Sequence, residues 1–220
     1  MTKDSIAILP SILAGDFGHL ADAAQLAEQS GADALHVDIM DGHFVPNLTL
    51  GPRALSAIRK ATGLFLDVHL MIYNPYEYIE RFIEAGADRI TFHFEATEDV
   101  EDTLIYIQRC NKQAGLAFCP NTSFSMMPKY IPLCDLMLIM TVNPGFGGQE
   151  LLPKMLDKVC FIRDRCRQEG RPDFPIQVDG GVDDKTFRAC RDAGANVFVS
   201  GSYLYEAKDM KAAIQKLRSL

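Results

Sequence analysis

Apolar residues gather in eight short continuous runs, at 6–10, 34–39, 64–70, 89–93, 115–119, 136–142, 175–178 and 196–200. Between most of them lie segments whose apolar positions recur at helical spacing, at 21–29, 52–61, 76–84, 100–111, 153–169, 185–192 and 209–217. A strand wetted on one face alternates apolar and polar residues, whereas a strand covered on both faces reads as a continuous apolar run. The pattern therefore predicts a parallel sheet with helices packed on its outer side.

An internal repeat sets the number of strands. Gly31-Ala32-Asp33, Gly86-Ala87-Asp88 and Gly194-Ala195-Asn196 each end a helical segment and lead into a strand. Glycine suits the left-handed position just past a helix end. The three glycines are separated by 55 and 108 residues, one and two units of about 54, and Cys134-Asp135 fills the vacant slot less cleanly. Four units with two βα pairs each give eight strands. The expected fold is α/β, a (β/α)8 TIM barrel forming a single domain over 1–220; a doubly wound open sheet is the alternative.

Two of the apolar runs carry polar residues where a structural strand would have none. In His36-Val37-Asp38-Ile39-Met40-Asp41-Gly42-His43, positions i and i+2 share a strand face, so His36 and Asp38 point the same way. Asp67-Val68-His69-Leu70-Met71 repeats the pattern with its polar letters exchanged. A buried charge costs several kcal/mol unless it is paired or bound to a metal. In a barrel the chemistry lies at the carboxyl ends of the strands. Those ends present Ser11, His36, Asp38, His69, His93, Asn143, Asp179 and Gly201-Ser202.

Two histidines and two aspartates (His36, Asp38, His69, Asp179) suit one divalent ion, with Zn, Mn, Fe(II) and Co all compatible with the donor types. A hydrogen-bonded polar cluster without metal is the alternative. Met40, Met71 and Met140 project into the same space, as packing or as a dry, polarizable wall beside a reacting carbon. The loop Asn143-Pro144-Gly145-Phe146-Gly147-Gly148-Gln149, together with Gly180-Gly181 and Gly201-Ser202, places glycine turns on three adjacent strands. Such turns let backbone N–H groups approach an anion, and loops after strands 6 to 8 are where this fold tends to hold phosphate. His93 has no paired carboxylate on its own strand and reads as a supporting or structural residue. His43 follows a turn and lines the mouth or faces solvent. Asp67 is expected to orient a neighbour, and Asp41 to form a turn or support the site.

Composition narrows the partners. The net charge of −7 argues against a nucleic-acid surface, without excluding a small anion held by backbone groups. Six cysteines with no C-x-x-C pair read as reduced, mostly inert core residues. No apolar run reaches membrane length, so a cytoplasmic protein with no membrane partner is expected.

With these residues assembled, the chain resembles the ribulose-phosphate 3-epimerase family over nearly all of its length. The resemblance is carried by Leu9-Pro10-Ser11-Ile12-Leu13, His36 through Asn47, Asp67 through Met71, Met140 through Gln149, Val178-Asp179-Gly180-Gly181 and Gly201-Ser202. It implies His36, Asp38, His69 and Asp179 as metal ligands, zinc foremost, and Asp38 and Asp179 as the two acid/base carboxylates. It implies Ser11, His69, Gly145, Phe146, Gly147, Gly148, Gly180, Gly181, Gly201 and Ser202 as substrate- and phosphate-contacting positions. The implied activity is the interconversion of D-ribulose 5-phosphate and D-xylulose 5-phosphate through an enediolate, within a homo-oligomer. The chain departs from the family at Phe94, where proline is common, and at Cys119-Pro120-Asn121, in place of an Asn-Pro-Ala-like turn. Altered loop packing is expected there. The sister epimerase acting on allulose 6-phosphate and a non-catalytic sugar-phosphate-binding barrel are the competing readings. A related decarboxylase or synthase would carry an Asp-x-Lys pair where this chain has Met40.

Overall fold

The structure is a computed structural model that describes residues 6–220. The eight apolar runs form strands β1 (Ala7–Pro10), β2 (Ala34–Met40), β3 (Phe65–Met71), β4 (Arg89–His93), β5 (Gln113–Phe118), β6 (Leu136–Met140), β7 (Ile176–Asp179) and β8 (Val197–Ser200). All pair in parallel, in the order β1-β8-β7-β6-β5-β4-β3-β2. The cylinder closes where Ser11, just past β1, bridges His36 of β2. The expected (β/α)8 barrel is the observed fold.

Helices α1 (Leu20–Gln29), α2 (Pro52–Ala61), α3 (Ile79–Glu84), α4 (Val100–Arg109), α5 (Leu156–Gln168), α6 (Phe187–Ala193), α7 (Ser202–Tyr205) and α8 (Met210–Ser219) cover the outside. Between β5 and β6, where the chain shows no helical spacing, a 3-10 segment at Phe124–Tyr130 takes the helix's place and contains Pro128. The helix expected from 185 begins at Phe187, because Asp183 Oδ1 accepts from the Lys185 and Thr186 amides and holds them in a turn. The short α7 lies outside the predicted helical segments.

Strand alternation divides the core into two layers. Leu35, Val37 and Ile39 of β2 pack outward with Ala24, Leu55 and Ile58 of the helices. Ala34 turns inward with Ala7, Leu9, Ala117, Leu136, Leu138, Val197 and Val199. Both faces are buried, which is why the strands read as unbroken apolar runs.

The sequence repeat has a physical counterpart at the amino ends of the strands. Asp33 Oδ2 accepts from the Ile8 amide at 2.8 Å, Asp88 Oδ2 from Leu66 at 2.9 Å, and Asp135 Oδ2 from Ala114 at 2.8 Å. Asn196 Oδ1 accepts from Ile176 at 2.7 Å. In each case the amide of the aspartate or asparagine also donates to the carbonyl of that same partner residue. Four two-point clamps thus tie each odd strand to the even strand that follows it. Asp135 belongs to this ring although its slot lacks the Gly-Ala prefix.

Asp135→Ala removes one acceptor and is expected to lower stability by about 1–2 kcal/mol in urea titration. Asp135→Asn keeps a carbonyl acceptor, as Asn196 does, and is expected to retain most of that stability. Equal losses in both variants would show that the clamp depends on charge rather than on the hydrogen bond.

Candidate active site and metal centre

The site rests on a buried carboxylate one layer beneath it. Parallel register sets His36 beside Asp67 and Asp38 beside His69. Asp67, fully buried, accepts from His36 Nδ1 at 2.8 Å, from Arg89 Nε at 2.7 Å and from Gln177 Nε2 at 2.8 Å. Burial raises the Asp67 pKa, but the Arg89 and His36 charges outweigh it and hold the group well below the usual carboxylate range. Fixing the His36 proton on Nδ1 turns Nε2 toward the mouth of the barrel.

There four side chains converge. His36 Nε2 lies 3.3 Å from Asp38 Oδ1 and 3.5 Å from Asp179 Oδ2. His69 Nδ1 lies at 3.3 Å and 3.5 Å from the same two oxygens. The four groups can each offer one donor atom within 4.8 Å of the others. The second oxygen of Asp38 accepts from Ser11 Oγ at 2.6 Å, which leaves Oδ1 for the centre. Behind it Thr49 Oγ1 donates to the Asp38 carbonyl at 2.7 Å and accepts from the Met40 amide at 3.0 Å, pinning the end of β2.

The donor set fits a divalent ion. His36 Nε2 and His69 Nδ1 are buried polar atoms with no hydrogen-bond partner, since their approaches to the carboxylates lack hydrogen-bond geometry. Buried nitrogens are seldom left this way without a ligand. Atoms about 2.0–2.1 Å from a tetrahedral ion stand about 3.3–3.4 Å apart, close to the nitrogen–oxygen separations here. Charge agrees with geometry. Burial disfavours the charged forms of His36 and His69, yet the aspartates around them raise both above the ordinary histidine value. Burial likewise raises Asp38 and Asp179, and the histidines pull both below the usual range. The centre therefore favours positive charge, whether protons or a metal supply it.

His93 is drawn into the same network. Its Nε2 lies 2.9 Å from His69 Nε2, and its Nδ1 lies 3.2 Å from Glu95 Oε2. As expected, His93 has no carboxylate on its own strand, which ends at His93 itself; its partner sits two residues on, in the turn just past the strand end. The signal is present in His93-Phe94-Glu95, which has the same i, i+2 spacing as His36 and Asp38. Burial holds His93 down to about 4, so it is a neutral imidazole. Burial raises Glu95, but the bonds from His93, Thr122 and the Cys119 amide bring it to about 2.

Above the four groups opens a cleft of about 580 Å³, lined by Met40, Met71 and Met140 and by the three glycine turns. Met40 and Met71 pack with Val45 on one side, and Met140 with Leu9 and Val199 on the other. Ser11, Gly145, Phe146, Gly147, Gly148, Gly180, Gly181, Gly201 and Ser202 all line it. Gly181 is required by the close approach of the chain, since a Cβ there would meet the Leu151 amide nitrogen at 2.4 Å with φ at +66°. Asn47 Nδ2 donates to the Gly145 carbonyl, Gln149 Nε2 to the Asn143 and Phe146 carbonyls, and Thr141 Oγ1 to the Gly180 carbonyl. His43 is exposed and outside the cleft lining. Asp41 accepts from the His43, Phe44 and Tyr73 amides and joins the loops after β2 and β3. The departure at Phe94 packs against Phe118 and Tyr130, away from the cleft.

The model of the Ribulose-phosphate 3 epimerase family matches residues 7–205. The chain belongs to the ribulose-phosphate 3-epimerase family. It is 49% identical over 209 residues to ribulose-phosphate 3-epimerase of Chlamydia pneumoniae, covering 94% of this chain and 91% of that one. It is 42% identical over 213 residues to that of Bacillus subtilis, covering 97% and 98%. It is therefore an enzyme, an isomerase acting on carbohydrate phosphates. Among solved structures, KGPDC from Streptococcus mutans superposes with a TM-score of 0.73 at 13% identity, covering 98% of this chain and 97% of that chain. A 3-hexulose-6-phosphate synthase reaches 0.66 at 19%, covering 97% and 99%. These two likenesses establish the shared barrel and nothing finer.

Of the six cysteines, Cys134, Cys166 and Cys190 are buried and Cys110 and Cys119 half-buried, while Cys160 is exposed on α5, contrary to the reading of a core residue. Among the described residues, no helix is long and apolar enough to cross a membrane.

Asp67→Asn leaves the buried Arg89 without its charge partner. The expected loss is about 3–5 kcal/mol in denaturant unfolding, far above that of a surface substitution. A loss under about 1 kcal/mol, the range of an exposed ion pair, would mean that Arg89 finds water at the barrel floor.

Proposed function

We propose that the chain interconverts D-ribulose 5-phosphate and D-xylulose 5-phosphate by two-sided proton transfer at C3, with Asp38 and Asp179 as the acid/base pair. The observation that carries this reading is the convergence of those two carboxylates, from β2 and β7, on one centre beside two partnerless imidazole nitrogens. Inverting a carbon next to a ketone requires a base on one face and an acid on the other.

In one direction the Asp38 carboxylate takes the C3 proton, and the electron pair of that C–H bond moves into the C2–C3 bond and onto the ketone oxygen. Asp179, in its protonated form, then returns a proton to the opposite face of C3. The reverse direction exchanges the roles. Burial and the Asp38 charge raise Asp179, but the bonds from His36 and His69 outweigh them and hold it below the usual carboxylate range, while Ser11 Oγ donates to Asp38 and favours its carboxylate form. A divalent ion on His36, Asp38, His69 and Asp179, zinc foremost by the family resemblance, would supply Lewis-acid stabilisation of the negative charge that develops on the sugar oxygens.

The phosphate is assigned to the turns at Gly145–Gly148, Gly180-Gly181 and Gly201-Ser202. Side-chain donors engage the carbonyls of residues 143, 145, 146 and 180, which keeps those oxygens on protein partners and away from an anion. Met40, Met71 and Met140 give the reacting carbon an apolar wall that excludes water.

Asp179→Asn is expected to lower epimerisation by about 10²–10⁴-fold while solvent deuterium still enters C3 of D-ribulose 5-phosphate, read by NMR. Full activity in that variant would sink the two-base assignment. Metal content of the variant, measured alongside, separates proton transfer from loss of a ligand. Dialysis against a strong chelator is expected to abolish turnover, and readdition of Zn²⁺ to restore it; activity that survives complete removal refutes the metal assignment. Turnover on D-allulose 6-phosphate is expected to be the lower of the two ketose phosphates.

A further inference from the structure

The two imidazoles of the centre are held by different means. His36 donates directly to a carboxylate, Asp67, at 2.8 Å. His69 has no carboxylate on its far nitrogen and meets another imidazole there, His93, at 2.9 Å. Two neutral imidazoles in contact carry one N–H each, so one nitrogen of the contact must donate and the other accept.

Resting on the reading that His69 Nδ1 serves a divalent ion, the order of protons along this chain follows. A ligand nitrogen must present its lone pair, so the His69 proton lies on Nε2 and is donated to His93 Nε2. That places the His93 proton on Nδ1, facing Glu95 Oε2 at 3.2 Å. Glu95 can only accept, and its other oxygen already accepts from the Cys119 amide at 2.9 Å and from Thr122 Oγ1. The loop bearing those donors is itself fixed. Lys158 Nζ, buried beneath it, donates to the carbonyls of Cys119, Pro120 and Thr122 at 3.0, 2.7 and 2.7 Å, using all three of its hydrogens.

We infer that Glu95 is a positioning residue which, acting through His93, fixes the tautomer of His69 and thereby the metal affinity of the centre. Metal-ligating histidines ordinarily gain their orientation from a carboxylate or carbonyl on the other nitrogen; here the carboxylate acts one imidazole further away.

The same residues allow a rival reading, because His93, Glu95 and Cys119 could each offer a donor atom within 4.8 Å of the others. The geometry speaks against a second ion. His93 Nδ1 and both Glu95 oxygens already have protein partners, and none of the three residues contributes a partnerless buried atom. Burial also pushes the Cys119 thiol far up, away from the thiolate a metal would need.

Glu95→Gln tests the chain. If its amide NH₂ faces His93, His93 must carry its proton on Nε2, against the His69 proton; if its oxygen faces His93, the NH₂ opposes the Cys119 amide. Zn²⁺ affinity of the metal-stripped full-length protein, read by competition with a chromophoric chelator, is expected to fall about 10–100-fold in Glu95→Gln and in His93→Phe. Thr122→Val keeps the carboxylate and is expected to stay within about threefold of the parent. Long-range ¹H–¹⁵N spectra of the zinc-loaded parent are expected to show His69 protonated on Nε2 and His93 on Nδ1. Parent-like zinc affinity in Glu95→Gln, a His69 proton on Nδ1, or two zinc ions per chain of which one is lost in Glu95→Gln would each overturn the inference. A parent that binds no zinc at all would overturn the metal reading as well, which distinguishes the two failures. If Glu95→Gln does not fold, the spectrum of the parent decides alone.

Discussion

Inside a closed barrel a charge has no water to turn to, and the whole centre depends on how that constraint is met at Asp67. This carboxylate sits one layer below the mouth and gathers His36, Arg89 and Gln177 from three other strands. The low dielectric that makes an unpaired charge costly also makes each of these contacts strong and directional. Arg89 balances the charge, so that His36 can be held by Asp67 and still turn its other nitrogen toward the mouth. Without the pair beneath, the imidazole above would have no fixed tautomer.

The two ends of the barrel divide the work. At the amino ends, the clamps of Asp33, Asp88, Asp135 and Asn196 join β1 to β2, β3 to β4, β5 to β6 and β7 to β8, and the parallel ladder between β2 and β3 places His36 beside Asp67 and Asp38 beside His69. At the carboxyl ends, the chain leaves the strands through loops held by single side chains, such as Asn47 on Gly145 and Thr141 on Gly180. A one-residue slip in either strand would turn His36 and Asp38, or Asp67 and His69, from the interior to the helix layer. Precision in the site therefore originates a few residues below it, in contacts that touch no substrate.

Much of this was legible in the chain. Continuous apolar runs with glycine-ended helices between them are a local signal, and local signals survive the absence of tertiary information. The i, i+2 spacing of His36 with Asp38 and of Asp67 with His69 is equally local. What was not legible depended on register between strands or on the path of a loop. The contact of His69 with His93 joins β3 to β4. Lys158 meets the loop at 119–122 only because α5 packs beneath it. Arg89 and Gln177 stood in apolar runs as visible polar interruptions, yet nothing in sequence told which carboxylate they would share. The four-residue α7 is too short to carry any periodicity.

The two carboxylates at the mouth are chemically identical and physically unlike. Asp38 is nearly enclosed, with one oxygen committed to Ser11 and its backbone held by Thr49. Asp179 is 15% exposed, stands next to Gly180-Gly181 and feels the charge of Asp38. Burial works against the charge on each of them, and the imidazoles of His36 and His69 between them outweigh it and hold both groups below the usual carboxylate range. The difference between them is set by Ser11, a residue just past the first strand whose hydroxyl occupies one Asp38 oxygen and leaves the other facing the two histidines.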